Sequence, residues 1–527
     1  MTPAPIPAPM PTPMPTDVAP LQVRNRPLLL IGVMAAMIMQ TLDTTVANVA
    51  LPHMSASLGA TSDTITWVLT SYVLASAVVL PLAGWLVDRV GIRQLMLASV
   101  GLFTLASMLC GVAQSLDQMV FFRILQGLAG AFLAPLAQTV ILDTSTVAER
   151  PRMMAIYTQG VMLGPISGPI IGGYLTDNFN WRWVFYVNLP IGIACFVLLL
   201  LYMPSTPRRD RKIDLFGWLL IAAAVSALQL VLDRGQDRDW FSSGEIVIEA
   251  VIAGSCLWMA VVHLATARAP LFPMILFRDR NFPIGLVFFG LIGLVMMSVM
   301  ALLPGLLQQI YGYNPMQSGL LLAPRGIGML LSITLFGQFM NRIDPRALLS
   351  IGLLLTALSL WMMAHWSIDM PRLPIVLSGV IQGVGLSFSF MPVNMIAFAT
   401  LSPRYRTDAA GLTMLMRNLG SSVGIAGASV MLARNVQVNH AEIGSRLTPA
   451  LLPFVGDVHS AFAPVSGAVL GVVDAMVNRQ AAMIAYLDDF LAMSLGCVAA
   501  IPLLMLVRIG KRPGSADAAQ IAGESAH

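Results

Sequence analysis

An aspartate stands where no lipid-facing charge belongs. Asp43 lies about fifteen residues, roughly 22 Å at helical rise, into an apolar run that begins at Leu28. An ionisable side chain at that depth costs about 2.5–3.5 kcal/mol on insertion scales, and such groups face a bundle interior or a water-filled cavity. A buried carboxyl can bind and release a proton, and an arginine beside it opposes protonation. Arg123, inside the apolar stretch near 119–142, is the candidate partner. Two roles stand open for the pair: a proton carrier tuned by its arginine, or a static buried ion pair that only fixes helix packing. Intramembrane acids are functional by default, which favours the first.

Further polar residues share that first helix. Gln40 and Ala47, three and four residues from Asp43, fall on its face, with Thr44 and Asn48 beside them. Such a stripe marks a water-accessible cavity or a set of interhelical hydrogen bonds in a dry interface. Later in the chain, Arg325 and Arg417 also lie inside apolar runs, and Asp488 and Asp489 open the last one. For the two arginines, an interior position and snorkelling towards the headgroups are both open.

The elements that position these residues follow from composition. Of 527 residues, 57% are hydrophobic and 11% charged, and the mean hydropathy is +0.78. Soluble proteins carry about 25% charged residues, so this chain is a polytopic membrane protein. Taking about 20 apolar residues per span, fourteen candidates are found, from 28–51 to 487–508. With the N-terminus inside, the inner segments hold most of the Lys and Arg, including Arg89, Arg93, Arg150, Arg208, Arg211 and Arg406. That bias satisfies the positive-inside rule and puts both ends in the cytoplasm. One outer segment, 434–486, is long: it is either a functional loop with structure of its own or a helical extension running into the last span. The first twenty residues are too rich in proline to form a helix and read as a solvated tail.

Several chemistries are excluded. The four cysteines lie in apolar segments without CxxC or zinc spacing, no HExxH occurs, and neither lysine sits in a nucleotide-binding GxxxxGK[ST] loop. No metal or cofactor is expected. Nucleic acid is not an expected partner, since the net charge of +4 is spread along inner loops. The fifth span is dense in glycine and proline, with Gly164, Gly168, Pro169, Gly172 and Gly173. Glycines four apart give a smooth face for close helix packing.

Five segments together resemble one family. Gly84-Trp-Leu-Val-Asp88-Arg89-Val-Gly91-Ile-Arg93 is similar to the loop motif GxLxDRxGxkx, with Ile92 where a basic residue is often found. Arg123-Ile-Leu-Gln126-Gly127 is similar to RxxQG, and Gly164 to Gly173 to the antiporter motif gxxxGPxxGG. Leu42-Asp43-Thr44-Thr45 through Leu51-Pro52 resembles LDxTivNvALP, and Trp181-Arg182-Trp183 through Asn188-Leu-Pro190 resembles WRWiFyiNlP. In these motifs the chain resembles the major facilitator superfamily, specifically its fourteen-helix drug:proton antiporters of the EmrB/QacA type. In the second half, Pro324-Arg325-Gly326 and Arg417-Asn418-Leu419-Gly420 continue the likeness.

The resemblance implies an all-α fold of two six-helix bundles plus two extra helices. The expected organisation is a Pro-rich cytoplasmic tail 1–27, a first bundle 28–203, a linker with two helices 204–282, a second bundle 283–508 including the periplasmic segment 434–486, and a tail 509–527. It implies proton-coupled efflux of hydrophobic drugs across a bacterial inner membrane, not an enzyme, with Asp43 as the proton-binding carboxylate and Arg123 as its neighbour. Gln40, Thr44, Ala47, Asn48 and Gln126 are candidate linings of the substrate cavity. Gly84, Asp88, Arg89, Gly91 and Arg93 would form a cytoplasmic latch between the bundles, and Gly164, Gly168, Pro169, Gly172 and Gly173 a helix at their interface. Arg325, Arg417 and Asp489 are the second-half candidates. Gram-negative relatives of this type dock a periplasmic adaptor protein and an outer-membrane channel. Two alternatives remain open: export of one metabolite, siderophore or lipid, and a non-transporting membrane scaffold or sensor.

Overall fold

The computed structural model describes residues 23–146, 149–206, 208, 210–235, 238–267, 270–339, 343–398, 401, 403–446 and 467–507. The expectations for both tails and for the middle of the 434–486 segment fall wholly or largely outside those residues. Long apolar runs without backbone partners in lipid must satisfy their own hydrogen bonds, so they form helices. Fourteen are named here: α1 Arg26–Leu58, α2 Trp67–Val90, α3 Ile92–Val112, α4 Leu116–Asp143, α5 Arg150–Asn178, α6 Trp183–Tyr202, α7 Leu215–Arg234 and α8 Gly244–Thr266, then α9 Asn281–Ile310, α10 Pro324–Phe339, α11 Pro345–Met363, α12 Leu373–Phe398, α13 Arg406–Arg446 and α14 Gly467–Ala500. All but α5, α10 and α13 are long and apolar enough to cross a bilayer. α5 is diluted by glycine, α13 by polar residues, and α10 is separated at Ala323 and Pro324 from a short helix Pro315–Leu322.

Local chemistry sets the helix limits. Asn25 caps α1, accepting a hydrogen bond from the Leu28 amide, and Gly59 ends it in the left-handed region at φ +64°. Between α2 and α3, Gly91 takes φ +93°, a conformation that side chains other than glycine rarely adopt. Asp214 caps α7 through the Gly217 amide.

The packing is repeated. In the first set α1 lies on α5 and α6, α2 on α4, and α3 on α4 and α6; in the second α9 lies on α13, α10 on α12, and α11 on α12 and α14. An offset of eight helices relates most of these pairs, the signature of two similar bundles. They meet where α13 lies against α2 and α4, and where α10 and α12 lie against α5. α7 touches both bundles, through α2 and α13, and carries α8 on its outer side. α8 buries Ile246, Ala253 and Ala260, one residue every two turns, and leaves Val247, Ile248, Val251 and Trp258 exposed. That is the pattern of a helix with one protein seam and a lipid-facing remainder.

The segment 434–486 is not a loop in its described parts. α13 continues as one helix to Arg446, and α14 begins at Gly467. Of the two readings, helical extension describes both ends, with His440 on α13 bonded to Asp474 on α14 at 3.1 Å.

Candidate functional site: a buried ion pair and an interbundle latch

Asp43 is enclosed by five helices of the first bundle. Its carboxylate accepts hydrogen bonds from Arg123 Nη1 at 2.6 Å, Gln126 Nε2 at 2.8 Å and Asn188 Nδ2 at 2.7 Å. Both charged side chains are fully buried. Arg123 and Gln126 are three residues apart on α4, so one helix face supplies both, while Asn188 comes from α6. Arg123 is fixed in turn by the Val68 carbonyl of α2 at 3.0 Å and by Gln126 Oε1 at 2.9 Å, with the Tyr72 ring 4.4 Å from its guanidinium. Asn188 also donates to Ser107 of α3 at 2.9 Å. The carboxylate receives three donors and faces no acceptor, which matches its ionised form.

The helix that carries Asp43 packs on the glycine stripe of α5. A side-chain carbon at Gly164 would stand 2.3 Å from Thr41 Oγ1, and one at Gly168 would stand 2.0 Å from Thr45 Oγ1; at Gly172 it would meet Val46. The stripe seats α5 on α1, on either side of Asp43, and Thr45 donates to the Gly164 carbonyl at 3.1 Å. As expected, α5 lies where the bundles meet, against α10 and α12. Its Gly164, Gly168 and Gly172 face α1 within the first bundle, and Gly173 has open space beside it. The side chain of Pro169 lies outside the described residues.

The five candidate cavity residues differ in their surroundings. Gln126 belongs to the Asp43 network. Ala47 is fully buried in an apolar cluster with Leu42, Val46 and Ala50. Thr44 turns its hydroxyl back to the Thr41 carbonyl at 3.0 Å, Gln40 is half-buried, and Asn48 is exposed. Asn188, the asparagine of the segment Trp181–Pro190, and Ser107 join the network without a sequence expectation for either. An asparagine opening an otherwise apolar run was the available signal.

On the face where α1 begins, the bundles are bridged by charge. Arg211, in the segment between α6 and α7, donates to Asp408 of α13 at 2.9 Å and to Asp88 of α2 at 3.5 Å, and also to the Leu271 carbonyl beyond α8. Arg406 of α13 pairs with Asp143 of α4 at 2.5 Å, and Gln138 of α4 donates to Asn394 of α12 at 2.7 Å. Gly84 is the contact point: a side-chain carbon there would lie 1.8 Å from Asp408 Oδ1. Asp408 sits just ahead of the apolar run that starts at 410. Burial pushes it up to about 6, against the pull of Arg211. The expected latch is thus corrected in its members. Asp88 and Gly84 take part, whereas Arg89 pairs with Asp210 and Arg93 donates to the Leu200 carbonyl, both on the first-bundle side.

In the second bundle Arg325 does not snorkel: its Nε donates to buried Gln382 of α12 at 2.9 Å. Arg417 is half-buried, 6.0 Å from the Phe390 ring, with Nη1 unpartnered. Asp489 is buried in α14. Among the described residues no three or more His, Cys, Asp or Glu side chains come together as a metal site.

The family model for the Major Facilitator Superfamily matches residues 33–432. The chain belongs to the major facilitator superfamily. It is a multi-pass membrane transporter and not an enzyme. Among its relatives, the multidrug export protein EmrB of Escherichia coli K12 is 34% identical over 85% of this chain and 87% of its own length. The fatty acid resistance protein FarB of Neisseria gonorrhoeae is 33% identical over 90% and 94%. Two solved structures share the facilitator fold. The human organic anion transporter MFSD10 has a TM-score of 0.55 and 13% identity over 91% of this chain and 98% of its own. A bacterial homologue of the lysosomal transporter Spinster, in an inward-facing unoccupied conformation, has 0.53 and 17% over 93% and 100%.

Proposed function

We propose that this facilitator exports lipophilic drugs and toxicants across the bacterial inner membrane, driven by protons carried on Asp43. The observation that carries the reading is the buried Asp43 carboxylate, on which Arg123, Gln126 and Asn188 converge. A proton on Asp43 removes the charge that draws α4 and α6 towards α1. Because the glycine stripe binds α1 to α5, the loosened pair moves as one body relative to the rest of its bundle. α5 touches α10 and α12, so that motion reaches the second bundle, and the two rock about the substrate site. On this reading the charge-bridged face is cytoplasmic and closed, and the proton binds from the periplasm as substrate leaves. One proton falling through 100 mV supplies about 2.3 kcal/mol.

The relative named multidrug export protein supports a broad range of lipophilic substrates, and the apolar, Met-rich interior suits varied shapes. A narrower reading, export of amphiphilic acids or one lipid, is favoured by the relative named fatty acid resistance protein. In a Gram-negative cell, the extensions of α13 and α14 beyond the bilayer would be the surface offered to a periplasmic adaptor and, through it, an outer-membrane channel. The deciding experiment is gradient-driven uptake of ethidium, tetraphenylphosphonium and oleate into inverted vesicles. Wild-type uptake that collapses in Asp43→Asn supports the proposal, and uptake of oleate alone selects the narrower reading. Equal uptake by both proteins removes Asp43 from coupling.

A further inference from the structure

A second buried acid has no counterpart to the Arg123 cradle. Asp489 is 2% exposed, and neither carboxyl oxygen has a hydrogen-bond partner. On its helix face stand Ala485, Tyr486 and Met493, all buried, at offsets of three and four. Phe490, the next residue, lies in an apolar cluster with Leu302, Leu306, Leu360 and Trp366, drawn from α9, α11 and the turn after α11. Ser494, one turn further on, fixes α14 to α11 by donating to the Ala357 carbonyl at 2.8 Å.

The titratable groups around Asp489 give it no counter-charge. On α14, Asp488 is the charge that acts on it, and Tyr486 is the neighbouring hydroxyl. Arg479 is engaged with the Ile310 carbonyl. Arg346 lies in the first turn of α11, α13 carries Arg417 and Arg434, and α9 has no charged residue. None of these arginines forms an ion pair with Asp489 among the described residues. Trp366, edge-on to Phe490 at 6.2 Å, has a buried indole N–H that is also unpartnered.

An ionised carboxylate without donors in an apolar cluster carries a desolvation cost that proteins avoid by keeping the group neutral. A purely structural residue at this position would be apolar, or it would be hydrogen-bonded. We infer that Asp489 is a second proton-binding carboxyl of the transporter, carrying its proton in the conformation seen here and releasing it to water when α14 moves against α11. Asp43 and Asp489 are then in opposite states in one conformation: Asp43 ionised in the first bundle, Asp489 neutral in the second. This deepens the proposed proton coupling, and rests on that reading for its place in transport, but the protonation state itself does not depend on it.

The test uses the purified full-length protein and dicyclohexylcarbodiimide, an apolar reagent that adds to protonated carboxyls and leaves a stable acylurea. Peptide mass spectrometry from pH 6 to pH 9.5 locates and quantifies the adduct, with Asp489→Asn as the blank for that peptide. The expected result is modification at Asp489 and not at Asp43, falling about tenfold per pH unit above its midpoint. Absence of the adduct on Asp489, or an amount that does not change with pH, overturns the inference. A second measurement counts protons moved per substrate in proteoliposomes. Asp489→Asn is expected to lower that number while substrate exchange without a gradient continues, and an unchanged number overturns the transport role. If Asp43→Asn leaves uptake intact while Asp489 still labels and titrates, the coupling assigned to Asp43 fails and the second site stands.

Discussion

Removing both partners of the Asp43–Arg123 pair should cost less than the two separate removals added together. Arg123→Met strips the carboxylate of its 2.6 Å donor and takes a donor away from the Val68 carbonyl and from Gln126 Oε1. Asp43→Asn leaves a buried guanidinium without its counter-charge. With both side chains fully buried, breaking the pair from either side costs about 3–5 kcal/mol, most of it the bare charge left behind. The double variant Asp43→Asn/Arg123→Met has no bare charge. It should be more stable than the sum of the singles by roughly 2–3 kcal/mol, near the upper end of coupling energies between contacting residues. The assay is unfolding of the purified protein by dodecyl sulfate titration in mixed micelles, followed by tryptophan fluorescence. If the two single losses add to the double within about 0.5 kcal/mol, the pair is not coupled and the account of Asp43 is wrong.

Other expectations follow from the same contacts. Gly168→Ala forces a carbon to within 2.0 Å of Thr45 Oγ1 and 2.6 Å of Thr45 Cβ. It should destabilise by about 1–3 kcal/mol and lower vesicle uptake, with Thr45→Gly restoring part of both. Arg211→Gln removes the bridge from Asp88 to Asp408. Spin labels at exposed Arg152 and Arg404, measured by double electron–electron resonance, should then show a longer distance component on the face where α1 begins. The same labels report pH. Opening returns Asp408 from about 6 to its ordinary 3.8, so the bridged state binds the proton more tightly. Acidification from pH 7 to pH 5 should favour the bridged state about tenfold. The effect should be full below 3.8 and lost as pH rises through about 6, and an opposite sign would show that the ion pair outweighs burial.

Charges inside apolar runs were legible in the sequence because their cost in lipid leaves few harmless explanations. Asp43 and Arg123 were found that way, and the structure adds their contact. The helical segments were legible for a similar reason, since hydropathy reports directly on the bilayer. Partner choice was not. Arg211 reads as one more inner-loop arginine, and only the fold brings it to Asp408, 197 residues away. Gln126 reads as a polar lining residue because spacing places it on the Arg123 face without saying what that face meets. The glycine stripe of α5 announces close packing, but glycines carry no information about which helix they admit. The 434–486 segment lacks the even hydropathy of a span, so helices that extend beyond the apolar layer look like a loop.

The central claim is that the proton rides on Asp43 and leaves or enters with substrate. It is met most directly by adding a transported compound to the purified protein in weakly buffered detergent solution and following pH with an indicator dye. Wild type should release protons on binding the compound, and Asp43→Asn, binding the same compound by fluorescence titration, should release fewer or none. Equal release from both proteins would place the coupled proton elsewhere and contradict the account.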